Sequence, residues 1–178
     1  MAMLKIAITQ PDAVCGEATI IRRLLASGFD IVHLRKPEAD VDYCRGLLAE
    51  LTPQERERIV VHDYCALYEE FSLRGVHLNK NVSHYPEGYR GSRTRSCHSL
   101  EEVVRYKEEY DYLFLSPIFD SISKAGYRSA FSHEQLQRAA DEGIIDHKVI
   151  ALGGVTPERM PYLHSLGFGG VAMLGALL

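Results

Sequence analysis

The chain has 178 residues, 46% hydrophobic and 25% charged, a balance that supports a sizeable core and excludes a disordered protein. Its formal net charge of −4 supplies no basic excess, so a nucleic-acid partner is not expected. No apolar run reaches the ~18 residues of a membrane helix and the N-terminus lacks the order of a signal peptide, so a soluble, cytoplasmic protein is expected.

Short β-branched runs alternate with amphipathic stretches along the whole length. The runs predict strands over Lys5–Thr9, Ile31–Leu34, Ile59–His62, Gly75–Leu78, Thr94–Cys97, Tyr112–Leu115, Val149–Leu152 and Gly170–Met173. Between them, helices are predicted over Glu17–Ser27, Val41–Leu51, Tyr64–Phe71, Leu100–Glu109, His133–Asp141 and Pro157–Leu166. Ser99 with Glu102 and Ser132 with Gln135 read as capping boxes, and Thr156-Pro157 as an N-cap followed by a proline at the first helical position. The stretch after Leu78, "NKNVSHYPEGYRGS", has no helical period and reads as a loop.

Near-continuous apolar strands, each followed by a crossover, predict a parallel sheet, and eight of them predict a (β/α)8 barrel in one domain. An open doubly wound sheet is the alternative. The chain is shorter than the usual ~200 residues of such barrels, so the last helix is expected to be short or absent. The four cysteines, Cys15, Cys44, Cys65 and Cys97, form no CxxC pair and read as small apolar residues in a reducing compartment.

In a barrel of this kind chemistry sits just past the strand ends, and those positions are polar here. His33, Arg35 and Lys36 follow the second strand, His62 and Asp63 the third, His77 and Asn79 the fourth, Ser96 and His98 the fifth. The sixth empties into Ser116, Asp120, Ser121, Ser123 and Lys124. "ALGGVTPER" places Gly153 and Gly154 between a strand and a helix start, where backbone amides can approach a phosphate, and Leu174-Gly175 offers a second pair of amides. Arg35 and Lys124 supply a fork and a point charge for a second anionic group, with Ser96, Ser121 and Ser123 as hydroxyl donors. The four histidines could serve a metal with Asp63, but no His-x-His spacing is present. They read instead as hydrogen-bonding or packing groups, His77 above all.

Taken in order, "VHLRKPE", "VVHDYCAL", "GVHLNKN", "RSCHSLEE", "SPIFDSISK", "VIALGGVTPE" and "GFGGVAMLGAL" resemble the thiamine phosphate synthase superfamily, which includes thiazole tautomerases of the TenI type. The resemblance implies a transferase that joins a hydroxymethylpyrimidine pyrophosphate to a thiazole phosphate with Mg2+. The expected partners are phosphorylated small molecules, and a homo-oligomer is left open by the sequence. It places Arg35, Ser96, Ser121, Ser123 and Lys124 on the pyrophosphate. Gly153, Gly154, Leu174 and Gly175 fall on the thiazole phosphate, and His33 and His62 on the pyrimidine. Asp63 becomes the Mg2+ ligand.

Four positions depart from the synthase pattern. Synthases carry Gln at position 33, Asn at 62 and Lys at 37, where this chain has His33, His62 and Pro37, with Lys36 adjacent as a stand-in. Val82 occupies the place of the second Mg2+ carboxylate, and an apolar side chain cannot bind a hard cation. The tautomerases share His33 but need a His where Ser116 stands, which leaves His98 or His62 as a base. A tautomerase and a non-catalytic binder of thiamine precursors therefore stand as alternatives to the synthase.

Overall fold

A computed structural model describes residues 2–120 and 129–174. Strands β1 (Leu4–Ile8), β2 (Ile31–Leu34), β3 (Ile59–Val61), β4 (Gly75–Leu78), β5 (Ser92–Cys97), β6 (Tyr112–Leu115), β7 (Val149–Leu152) and β8 (Gly170–Leu174) follow one another in a closed barrel. The expected fold is present, and the open sheet is excluded. Helices are α1 (Glu17–Ala26), α2 (Val41–Ala49), α3 (Pro53–Arg56), α4 (Ala66–Phe71), α5 (Leu100–Tyr106), α6 (His133–Asp141) and α7 (Met160–Ser165). The strand residues are apolar at successive positions because each strand is buried on both faces: Ile31 to Leu34 and Tyr112 to Leu115 are buried throughout.

By density of contacts the chain divides into two compact units, residues 6–93 with 174, and residues 94–173 with 2–5. In the first, parallel pairing aligns Ile8 with His33, His33 with Val60, and Val60 with Gly75. Because side chains alternate along a strand, His33, His62 and His77 share one sheet face. Residues 79–91 carry no helix, as expected, and tyrosines fill the space. Tyr85 stacks on Tyr89 at 4.5 Å, and the Tyr89 hydroxyl accepts from Val76 N and donates to Ser92 O. A Cβ at Gly91 would lie 2.6 Å from the Tyr68 ring and 2.6 Å from the Tyr89 hydroxyl, a space that glycine leaves open.

In the second unit the ladders run Cys97 to Leu115, Leu115 to Ala151 and Ala151 to Val171. β5 is the least apolar strand. Its Arg95 guanidinium carbon lies over the Tyr106 ring, 3.7 Å from the centroid, so a cation and its stem pack against an aromatic ring of α5.

Several local expectations shift. Helix α4 starts at Ala66, because Tyr64 adopts a left-handed conformation with φ 58° that no helix continues through. The predicted helix to Glu109 tightens into a 3-10 turn at Lys107–Glu109, and the one from Pro157 opens with a 3-10 turn at Pro157–Arg159. The Ser132–Gln135 box is complete, whereas Ser99 caps Glu102 N one way only, since the Glu102 carboxylate accepts from His98 N. The short helix α3 was not anticipated, although Thr52-Pro53 with Glu55 forms a full capping box.

Candidate functional site

The unit of residues 6–93 is built at the ends of β1 to β4. Thr9 grips the Arg35 backbone from both sides: its hydroxyl accepts from Arg35 N at 3.0 Å and donates to Arg35 O at 3.2 Å. Among the described residues the Arg35 guanidinium has no hydrogen-bond partner, which leaves its fork available to an anion. Lys36 behaves differently, and the expectation that it could replace the ammonium missing at Pro37 is corrected. It is fully buried, and its ammonium donates to Gln10 O, Asp12 O and Glu17 Oε1 at 2.7, 2.7 and 2.6 Å. All three donors are spent inside the protein. The other Glu17 oxygen accepts from the Tyr43 hydroxyl at 2.5 Å, and that hydroxyl also accepts from Val14 N. Burial, then the Glu17 hydrogen bond, pushes the Tyr43 phenol up to about 12.

Asp63 follows β3 and is partly exposed. Asn79 spans the gap to β4, donating to His62 O at 2.9 Å and approaching Asp63 Oδ1 at 3.4 Å. The Asn79 side-chain oxygen accepts from Asn81 N and Val82 N, which fixes the loop as an Asx turn. The histidines make a cluster: His33 Nδ1 lies 2.8 Å from His62 Nε2, and the His62 ring stacks on His77 at 4.2 Å. All three are buried. Burial, reinforced by neighbouring positive charge, holds the pKa values of His33 and His62 well below the ordinary imidazole value, so both rings are neutral.

The unit of residues 94–173 carries the ends of β5 to β7. Ser96 is partly exposed in β5. His98 is exposed, with Nδ1 3.1 Å from Ser116 O and 3.3 Å from its hydroxyl. Ser116 therefore has an imidazole beside it, although it is not itself one.

The Gly153-Gly154 turn adopts φ values of 98° and 61°. Space is short as well: a Cβ at Gly153 would lie 2.9 Å from Pro117 Cα, and one at Gly154 2.3 Å from Asp120 O. The glycines let the β7 and β6 loops cross in contact, tied by Phe119 N donating to Gly153 O at 3.1 Å. Arg159 completes the tie. Its guanidinium donates to Gly154 O at 2.6 Å and lies over the Phe119 ring at 4.3 Å. With that carbonyl held, the turn keeps one orientation of its amides.

Leu174 ends β8 and is partly exposed. Ser121, Ser123, Lys124 and Gly175 lie outside the described residues. Within the first unit the structure brings His33, His62 and His77 together, with Asn79 reaching both His62 O and Asp63; within the second it brings His98 to Ser116 and the Gly153-Gly154 turn to Pro117 and Asp120. Sequence reasoning missed Arg159 and the Glu17–Tyr43 anchor. The "TPER" wording offered a cue to Arg159, while nothing local pointed to Glu17, which lies 19 residues from Lys36.

The profile of the family described as thiamine monophosphate synthase matches residues 6–177. Thiamine-phosphate synthase of Photorhabdus laumondii is 30% identical over 166 residues, 88% of this chain and 76% of that protein. The corresponding synthase of Yersinia pestis is 28% identical over 88% of this chain and 77% of its own. The crystal structure of thiamine phosphate pyrophosphorylase from Bacteroides thetaiotaomicron superposes with a TM-score of 0.89 at 40% identity, over 98% of this chain and 84% of that one. A pyrophosphorylase of the same description from Pyrococcus furiosus, 20% identical over 98% of this chain and 86% of its own with a TM-score of 0.76, shares the fold.

Proposed function

Because the chain belongs to the thiamine monophosphate synthase family, we propose that it is a thiamine phosphate synthase, a transferase of thiamine biosynthesis acting on soluble phosphorylated substrates. The reaction breaks the bond between the pyrimidine methylene and its pyrophosphate oxygen and forms a bond from that carbon to the thiazole nitrogen. Pyrophosphate leaves with the electron pair, and the cation formed on the pyrimidine is captured by the nitrogen lone pair. The observation that carries the reading is the 40% identity to the Bacteroides thetaiotaomicron pyrophosphorylase across 98% of this chain.

In this reading the protein supplies charge and position rather than covalent chemistry. Arg35 and Lys124 receive the pyrophosphate, helped by the hydroxyls of Ser96, Ser121 and Ser123. The backbone of Gly153, Gly154, Leu174 and Gly175 receives the thiazole phosphate, with Arg159 holding the Gly154 carbonyl away from the anion. His33 and His62, as neutral imidazoles, offer hydrogen bonds to the pyrimidine, and His98 with Ser116 adds a polar contact. The protein works as one barrel domain in the cytoplasm, and homo-oligomers are compatible with it.

Mg2+ fits the donor set at its minimum. Asp63 is partly exposed and retains oxygens beyond the long contact to Asn79, and Mg2+ is held by one or two carboxylates with substrate phosphates. Bound there, the ion would neutralise charge on the departing pyrophosphate. Val82 gives it no second carboxylate, so substrate oxygens would complete the shell. Incubation with the pyrimidine pyrophosphate, the thiazole phosphate and Mg2+ should yield thiamine phosphate and inorganic pyrophosphate, and no product at any Mg2+ concentration rejects the reading. Lys124→Ala should raise KM for the pyrophosphate substrate at least about tenfold, the scale of one charge-assisted contact.

A further inference from the structure

Nothing in the synthase reading requires three histidines from three adjacent strands to meet. His33, His62 and His77 do so, on one face of β2, β3 and β4, with nitrogen atoms all within 4.8 Å of one another. His33 Nδ1 and His62 Nε2 are already 2.8 Å apart, closer than two donor atoms sit around a bound ion. The rings pack edge to face at 5.0 and 5.4 Å for the pairs involving His33, so their nitrogens converge rather than splay.

We infer that His33, His62 and His77 form a binding site for a borderline divalent cation such as Zn2+ or Co2+, separate from the Mg2+ role of Asp63. Imidazole nitrogen suits these ions, whereas Mg2+ prefers oxygen, so the two sites differ in the ions they select. Three imidazoles with an open fourth position are an established zinc arrangement. His33 would coordinate through Nδ1 and His62 through Nε2, the two atoms already facing each other. Binding needs one local change. The His62 and His77 planes are 14° from parallel, and one ring must turn so that both lone pairs point at a common centre. His62, the most accessible of the three at 6% exposure, gives the route for the ion and for the water that fills the fourth position. In sequence the centre lies one residue from Asp63 and two from Arg35.

The test is Co2+ titration of the full, metal-stripped chain, read by visible absorption. The expected result is the intense band of four-coordinate Co2+ saturating at one ion per chain, bleached by one equivalent of Zn2+ and indifferent to millimolar Mg2+. His77→Gln and His33→Asn should each weaken Co2+ binding at least about tenfold, since even outer-shell changes cost 10- to 100-fold. His164→Gln, an exposed histidine remote in sequence, should leave it unchanged. A pale six-coordinate spectrum, or binding lost in His164→Gln but kept in His77→Gln, overturns the inference. Should the core variants fail to fold, X-ray absorption of the wild-type Zn2+ complex decides. Three imidazoles at about 2.0–2.1 Å support the site, and an oxygen-only shell refutes it. These readouts do not depend on turnover, so their failure leaves the synthase reading untouched.

Discussion

Replacing Lys36 with Met keeps the aliphatic stem and removes only the ammonium, which makes Lys36→Met a measure of the anchor beneath Arg35. Lys36 is 1% exposed and Glu17 is 4% exposed, so neither charge is screened by water. Without the ammonium, the Glu17 carboxylate retains only the Tyr43 hydroxyl, and the carbonyls of Gln10 and Asp12 lose a donor each. Breaking a buried pair from one side costs about 3–5 kcal/mol, several times the about 0–1 kcal/mol of an exposed pair. With an m value of about 2 kcal/mol per M, the urea midpoint should fall by about 1.5–2.5 M. The double variant Lys36→Met, Glu17→Met removes both charges and should recover a large part of that loss, because a buried ion pair can be replaced by apolar side chains at little net cost. Equilibrium urea unfolding followed by circular dichroism measures all three proteins. A loss under about 1 kcal/mol for the single variant, or a double variant as unstable as the sum of the singles, would refute the reasoning.

Three further outcomes follow from the same geometry. Gly154→Ala meets both a left-handed backbone, about 1–2 kcal/mol, and the Asp120 carbonyl 2.3 Å from its new Cβ, so its thermal destabilisation should clearly exceed that of Gly143→Ala, where φ is 72° but nothing lies within 4 Å. Arg159→Met removes the donor to Gly154 O, worth about 0.5–1.5 kcal/mol, and should raise KM for the thiazole phosphate up to about tenfold while leaving KM for the pyrimidine substrate and the melting temperature nearly unchanged. Burial pushes the thiols of Cys44 and Cys97 up to about 11. At pH 8 both are protonated and shielded, so iodoacetamide should label exposed Cys15 first and spare these two until the protein unfolds, as peptide mass spectrometry can read.

Strand positions were legible because burial on both faces writes an uninterrupted apolar run, and Ile31–Leu34, Gly75–Leu78, Tyr112–Leu115 and Val149–Leu152 match residue for residue. The helix-free crossover after β4 was legible from its proline and glycines, and the polar residues at strand ends from their position alone. Side-chain destinations were not. Lys36 and Arg35 are neighbours in sequence just past the end of β2, and only the arrival of Glu17 from α1 shows that Lys36 is an internal anchor, while among the described residues no group takes the Arg35 guanidinium. The Gly153-Gly154 turn read as a phosphate loop, and the structure adds that the glycines are demanded by the close crossing with Pro117 and Asp120. The spacing of His33, His62 and His77 along the chain resembles no ligand motif, and parallel register alone sets them side by side. Local pattern thus determines which segments become strands and helices, because it depends on a residue's own neighbours. Which side chains meet is decided by contacts between residues far apart in sequence, and only the folded chain supplies those.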